Sequence, residues 1–139
     1  MNLDFSSLKK AITSLSKAIC VYESLSTGDA SDDLIETLKA GVIQNFEFTY
    51  ELSWKFMKRW IENNVSSTIV DGVTRRELFR LAAESKLICD VELWMDFHGK
   101  RNISAHTYDE ENADSVFSIT QNFLAEATTL LKKLEEKNS

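Results

Sequence analysis

The chain has 139 residues, of which 43% are hydrophobic and 27% charged, and its formal net charge is −6. This length predicts one domain, residues 1–139, and the composition excludes a disordered chain, while the acidic balance argues against a general nucleic-acid coating protein. Apolar runs are short and residues 1–4 lack the features of a signal peptide, so we expect a cytoplasmic protein without a membrane segment.

The absence of proline and the presence of only 4 glycines favour long helices over strands. The first helix is predicted from about Ser6 to Ser26, and the second and longest from about Asp33 to Asn63. The first has a seam of apolar residues at heptad spacing, namely Leu8, Ile12, Leu15, Ile19 and Tyr22. The inward candidates of the second are Leu34, Leu38, Val42, Phe46, Leu52, Phe56 and Trp60.

A polar loop over residues 64–73 separates this part from three further helices. Thr74 begins a capping box that opens a short third helix, and Asp90 is the expected cap of a fourth that ends near Thr107. A fifth is predicted over about 110–136. The fold class is therefore all-α, an antiparallel up-and-down four-helix bundle with a short extra helix and no sheet.

The most informative residues, Arg101, His106 and Tyr108, lie at the end of the fourth helix. Arginine forks onto phosphate oxygens and histidine moves protons near neutral pH, so the set suits phosphate chemistry. On a straight helix Arg101 shares a stripe with Trp94 and Tyr108 but diverges from His106 by about 140°. Either the helix ends before His106, or a second copy completes the site across a dimer.

The charge distribution is compatible with a site in this region. Residues 1–52 carry 4 basic and 8 acidic side chains (−4), residues 53–106 carry 9 and 7 (+2), and residues 107–139 carry 3 and 7 (−4). A local anion site fits the one net-basic segment, whereas a long phosphate track does not. Charges scattered over solvated faces fit the same numbers about equally well.

Several other polar residues have a structural interpretation. The predicted core stripe of the fourth helix consists of Val91, Met95, His98, Asn102 and Ala105. On it, a satisfied buried histidine is favoured for His98, and for Asn102 a structural and a functional role are balanced. Cys20 and Cys89 are expected to be buried free thiols. No metal-ligand spacing or glycine-rich phosphate loop occurs, so we expect no metal and no cofactor.

Two blocks resemble a known family. They are residues 46–55 (FEFTYELSWK) and the stretch from Glu92-Leu93-Trp94-Met95-Asp96 to Tyr108-Asp109. They are similar to the nucleotidyltransferase substrate-binding proteins of the HEPN superfamily, which includes the HepT toxins. The superfamily signature is an arginine followed after four to six residues by a histidine, and HepT-like members add a tyrosine two positions later. Arg101, His106 and Tyr108 match it in full.

This resemblance implies a homodimeric four-helix bundle that acts with a minimal nucleotidyltransferase, its antitoxin. Arg101 and His106 would be the catalytic pair of a metal-independent endoribonuclease, with Asn102 in support. Tyr108 would be the residue that the partner modifies with AMP. The alternative is a non-catalytic subunit that binds a nucleotide or substrate for the nucleotidyltransferase. A plain structural partner is a third possibility, in which Trp54, Trp60, Trp94 and Phe97 line an interface, although aromatic residues at helical spacing are more often core.

Overall fold

The computed structural model describes residues 2–138. Within them every regular element is helical, which confirms the all-α prediction. The α-helices are α1 (Ser6–Ser26), α2 (Asp32–Asn64), α3 (Arg75–Glu84), α4 (Val91–Ile103), α5 (Glu110–Phe117) and α6 (Thr120–Glu136), and a 3₁₀ turn spans Ser104–His106. The four longer helices, α1, α2, α4 and α6, form the bundle, and α3 and α5 are short additions.

Side-chain caps fix where four of the helices begin, including α5, whose cap is Asp109. Ser31 accepts a hydrogen bond from the Leu34 N–H at the start of α2 (3.2 Å), and Asp90 accepts one from the Leu93 N–H at the start of α4 (3.0 Å). Thr74 does the same for α3. Each cap satisfies a backbone donor that has no partner inside its helix. The helix starts expected at Thr74 and Asp90 are confirmed.

The predicted fifth helix is wrong in one respect, because residues 110–136 form two helices that meet at Ser118 and Ile119. The Ser118 hydroxyl donates to the Ser115 carbonyl at 2.7 Å, and the Thr120 hydroxyl donates to the Phe117 carbonyl at 2.8 Å. Serine and threonine side chains that bond nearby carbonyls compete with the backbone pattern of a helix. The bundle therefore has two short extra helices, not one.

Phe123 of α6 lies at the centre of the core. Its ring centroid is 4.9 Å from that of Phe46 on α2 and 5.1 Å from that of Phe97 on α4, both in edge-to-face contact. Trp94 packs beside them, and all four side chains are 0–1% exposed. This aromatic cluster sets the rotation of α4 against α2, and so decides which α4 side chains face inward.

Two predictions of burial are wrong. Leu34 is 41% exposed because the end of the α1–α2 hairpin is open to solvent, where Leu25 is also 42% exposed. Cys20 and Cys89 are free, as expected, but both are exposed. Each follows a buried isoleucine, Ile19 or Ile88, and so points away from the core. Among residues 2–138, no helix is long and apolar enough to cross a membrane.

Candidate functional site

The inward face of α4 carries Trp94, Phe97, Arg101 and, just beyond the helix, Ser104. Ser104 is 5% exposed, and the Arg101 side chain is 31% exposed. The predicted core stripe is wrong in its second half, because Asn102 and Ala105 are exposed, whereas Val91 and Met95 pack against the core and His98 is half-buried. Packing of the two large aromatic side chains on Phe123 turns the helix so that the Trp94–Arg101 stripe faces the bundle.

Arg101 is held by two carboxylates of α2. Its Nη1 donates to Glu47 Oε2 at 3.0 Å, and its Nε lies 3.3 Å from Glu51 Oε1. The second contact is an ion pair without hydrogen-bond geometry, since the buried Nε has no hydrogen-bond partner. Because Glu47 and Glu51 are four residues apart, both carboxylates lie on one face of α2.

Ser104 completes the attachment of Arg101. Its hydroxyl donates to Glu47 Oε2 at 2.6 Å and accepts a bond from Arg101 Nη1 at 3.1 Å. Charge-assisted bonds of this kind are stronger than neutral ones. The Nη2 group of Arg101 makes no bond to another described residue. The guanidinium is thus fixed through Nη1 and Nε, while two N–H donors stay available.

His106 and Tyr108 lie beyond the end of α4. The α-helix stops at Ile103 and a tighter 3₁₀ turn continues to His106, close to the predicted end at Thr107. Both side chains are exposed, Tyr108 by 88%, and their ring centroids are 6.0 Å apart. The His106 carbonyl accepts bonds from the Asp109 N–H and the Asn112 side chain, each 3.2 Å long. The backbone here is anchored although the rings are free.

The structure brings His106 and Tyr108 together but shows no polar contact between either side chain and Arg101 within one chain. The polar contacts of Arg101 are with α2 and Ser104, whereas the His106 ring lies against Tyr108 and makes no hydrogen bond to a described residue. Asn102, predicted as a supporting group, is exposed, and its side chain makes no bond to a described residue. A site that uses both Arg101 and His106 needs a bound substrate or a second copy to join them.

Three residues that hold Arg101 have no role in the sequence-based interpretation, namely Glu47, Glu51 and Ser104. Glu47 and Glu51 lie inside the block that carries the family resemblance. An arginine on an inward helical face requires an anionic partner, because an unpaired buried charge is costly. Two glutamates at helical spacing on the neighbouring long helix are a signal that could have identified these partners.

A groove of about 640 Å³ opens on one side of the exposed segment. Its walls come from α1, the first half of α2, α5 and the segment that carries Thr107 and Tyr108. Arg101 and His106 do not line it. It contains Asp32, Glu36 and Glu110 against a single lysine, Lys39, so its charge does not favour a phosphate ligand.

Comparison with known proteins identifies the family. A family model described as "Nucleotidyltransferase substrate binding protein like" matches residues 3–136. The chain belongs to this family. The resemblance found in the two sequence blocks is thereby confirmed over nearly the whole chain.

A curated protein and a solved structure, both from Haemophilus influenzae, are similar to this chain over nearly its whole length. A protein called "Probable ribonuclease HepT" is 35% identical over 138 residues, which is 98% of this chain and 94% of the relative. A solved structure, described as the fold of a substrate-binding domain of a nucleotidyltransferase, has a TM-score of 0.88 at 34% identity and covers 95% of this chain and 99% of its own. A crystal structure from Thermus thermophilus has a TM-score of 0.64 at 23% identity, with 86% and 98% covered, and shows the same fold.

Proposed function

We propose that this protein is a ribonuclease that acts with a minimal nucleotidyltransferase, and that Arg101 and His106 form its catalytic pair. The observation that carries the proposal is the arrangement at the end of α4. Arg101 is fixed on α2 with one edge free, and His106 is exposed a single turn further on. The name of the 35% identical relative supports the same activity class.

The reaction would be internal transesterification of RNA. The 2′-oxygen forms a bond to the adjacent phosphorus, and the bond from phosphorus to the 5′-oxygen breaks, which leaves a 2′,3′-cyclic phosphate and a 5′-hydroxyl. His106 accepts the proton of the 2′-hydroxyl, a contribution typically worth about 10²–10⁴-fold. The free Nη2 edge of Arg101 stabilises the charge that develops on the phosphorane oxygens. These steps need no metal ion.

A homodimer would supply the second proton-transfer group. One histidine cannot act as base and acid in the same step, and His106 has open space around its ring. Two copies that face each other would give one His106 to accept the 2′-proton and the other to protonate the 5′-oxygen. Phe48, next to Glu47 on α2, is 58% exposed and is a large apolar side chain suited to contact the second copy.

The nucleotidyltransferase partner would act on Tyr108. Its hydroxyl belongs to a side chain that is 88% exposed and two positions from His106. Transfer of AMP from ATP forms a bond between the tyrosine oxygen and the α-phosphorus, with pyrophosphate as the leaving group. An added AMP would occupy the space in front of His106 with a bulky anion and so silence the ribonuclease.

A second candidate function is a non-catalytic subunit that binds a nucleotide or substrate. The observation in its favour is that Glu47 and Glu51 hold Arg101 in a fixed position, as expected of a positioned recognition group. The description of the solved relative as a substrate-binding domain points the same way. In this case Arg101 and His106 would hold a phosphate without breaking a bond.

Expression in cells separates the two candidates. We expect induction of the chain alone to arrest growth and fragment RNA, and His106→Ala to abolish both effects while the protein accumulates to the same level. Fragmentation that persists in His106→Ala would exclude His106 from the chemistry. Normal growth and intact RNA with both proteins, together with calorimetric binding of a nucleotide, would establish the binding subunit instead.

A further inference from the structure

A second arginine, Arg75, lies beside the Arg101 cluster and differs from Arg101 in having no carboxylate partner. Its guanidinium carbon is 3.5 Å from the centre of the Trp54 ring, so the planar group stacks on the indole. Its Nε is buried and makes no hydrogen bond to a described residue. No acidic side chain of residues 2–138 lies within ion-pair distance of it, whereas Arg101 has two.

The place of Arg75 in the fold is unfavourable for a cation. It is the first residue of α3, and the N-terminus of a helix carries a positive partial charge. Burial also lowers the pKa of Arg75, which means that its charged form is partly desolvated. The Trp54 ring and the charge of Glu51 offset part of this cost, but no carboxylate lies within ion-pair distance and the Nε has no hydrogen-bond partner among the described residues. A ligand anion could therefore add a partner that the described residues do not supply.

His98 of α4 adds a second donor. The Tyr50 hydroxyl lies 2.8 Å from His98 Nδ1, its one hydrogen-bond partner among the described residues. Burial raises the pKa of Tyr50, so the hydroxyl keeps its proton. Burial first, and then the charge of Arg75, lower the pKa of His98, which favours the neutral ring. Because the hydroxyl has no other acceptor among the described residues, we infer that it donates to Nδ1, which leaves the ring proton on Nε2. That N–H has no partner among residues 2–138.

Glu51 connects this pair to Arg101. Its Oε2 accepts a bond from Trp54 Nε1 at 3.1 Å, and its Oε1 lies 3.3 Å from Arg101 Nε. One carboxylate thus orients the indole on which Arg75 stacks and also contacts Arg101. The charge of Glu51 also raises the pKa of Arg75, but Glu51 lies beyond ion-pair distance of it, so the Arg75 guanidinium keeps donors that no described residue occupies.

We propose that Arg75 and His98 form a second anion subsite, which holds an RNA backbone phosphate next to the one bound at Arg101. The inference rests on the proposed function, since it assumes an RNA substrate. A guanidinium edge and an imidazole N–H are donors suited to a phosphodiester. Two separate cationic points, Arg75 and the free edge of Arg101, match a strand with successive phosphates better than a single mononucleotide phosphate.

Binding of a non-cleavable strand tests the subsite apart from catalysis. The probe is a short single-stranded 2′-O-methyl RNA, followed by fluorescence anisotropy over a series of KCl concentrations. We expect Arg75→Gln to weaken binding about tenfold and to reduce the slope of log affinity against log salt by about 0.7, the value for one lost phosphate contact on a single strand. Arg75→Lys, which keeps the charge without the planar stack, should recover part of that slope.

Arg76→Gln is the matched control, because it removes the same charge one residue along α3 from a side chain that is paired with Glu92 at 2.8 Å. It should bind RNA as the parent does. If Arg75→Gln binds with the parent's affinity and slope, the subsite is excluded, and cleavage by the parent would leave the proposed function standing. If the parent binds the strand through Arg75 but cleaves no RNA, the subsite stands and the nuclease proposal fails. If AMP binds through Arg75 and the RNA strand does not, the ligand of the subsite is a mononucleotide, and the proposed RNA phosphate is excluded.

Discussion

The two halves of the segment from Arg101 to Tyr108 differ in how many contacts hold them to the bundle. Arg101 and Ser104 bond to Glu47 at 3.0 and 2.6 Å and to each other at 3.1 Å, so this half is part of the packed bundle. His106 and Tyr108, within one further turn, are exposed, and their rings lie against each other without a hydrogen bond to another residue of 2–138. The first half therefore positions the guanidinium, and the second half carries the exposed reactive side chains. A substitution in the first half should lower stability, whereas one in the second half should not.

The largest effect is expected at the exposed half. His106→Ala should lower RNA cleavage by about 10²–10⁴-fold, because the proton-transfer group is lost. The free energy of unfolding should change by no more than an ordinary surface substitution causes, about ±0.5 kcal/mol, since the ring is exposed. Cleavage of a fluorescent RNA, measured in EDTA beside a melting curve, checks both statements.

Tyr108→Phe is the matched control at the same exposed end. It should cleave RNA at the parental rate but accept no AMP from the nucleotidyltransferase and ATP, as read by a mass increase in the parent alone. Loss of cleavage in Tyr108→Phe would place the phenol in the chemistry. An unchanged mass increase would move the modification to another residue.

A substitution that loosens the first half, Arg101 and Ser104, should lower stability as well as cleavage. Glu47→Gln removes the charge that faces Arg101 and weakens the bonds to Nη1 and Ser104, so we expect the free energy of unfolding to fall by about 1–3 kcal/mol. Cleavage should fall about tenfold or more, because Arg101 is no longer fixed. Denaturant melts and initial rates measure the two effects.

Glu92→Gln provides the comparison for this change. It makes the same substitution in an exposed ion pair with Arg76, whose side chains are 69% and 43% exposed. A pair of this kind contributes less than about 1 kcal/mol. Equal stability losses in Glu47→Gln and Glu92→Gln would show that the Glu47–Arg101 pair is an ordinary surface contact and would remove the contrast between the two halves.

The need for a second copy at the exposed half can be tested at Phe48. Phe48→Ser should weaken self-association by about tenfold or more, as expected for a buried aromatic anchor, and cleavage should fall with it at low protein concentration. Val65→Ser is the control, since Val65 is 54% exposed just beyond the C-terminal end of α2, whereas Phe48 lies in the middle of the helix. Sedimentation over a dilution series gives the result, and an unaltered dimer, or a parent that is monomeric, would contradict the shared site.

The sequence predicts more of the fold than of the site, and particular residues explain why. Helix starts follow from local caps such as Thr74 and Asp90, which act within one turn. The rotation of α4 cannot be predicted from local sequence, because it depends on how Trp94 and Phe97 pack against Phe123, a contact between distant parts of the chain. The predicted stripe through Asn102 therefore faces solvent.

The same limit applies to the site. The Arg101–His106–Tyr108 spacing is visible in one segment, whereas the carboxylates that hold Arg101 are 50 and more positions away on α2. Arg75 is even harder to identify from the sequence, because what distinguishes it is that no described carboxylate pairs with it. A stacked arginine without a carboxylate is recognisable only once α2, α3 and α4 are placed together.

The smallest expected effect is at His98, the half-buried histidine of α4, and it differs in kind from the effect at the exposed His106. Burial, and next the charge of Arg75, lower the pKa of His98 below its ordinary value of 6.5, although Glu51 opposes this. The unfolded chain then binds a proton more readily than the folded one, so the free energy of unfolding should decrease as pH falls through 6.5 towards the folded pKa. Above 6.5 the contribution is flat. His98→Gln removes this pH dependence together with the contact to Tyr50, and the loss of that contact should count equally at every pH in the range. The difference in stability between parent and variant, measured by denaturant melts from pH 5 to 8, should therefore shift against the parent at the acid end. A constant difference would mean that His98 titrates alike in both states, and that burial and the charge of Arg75 do not hold it neutral.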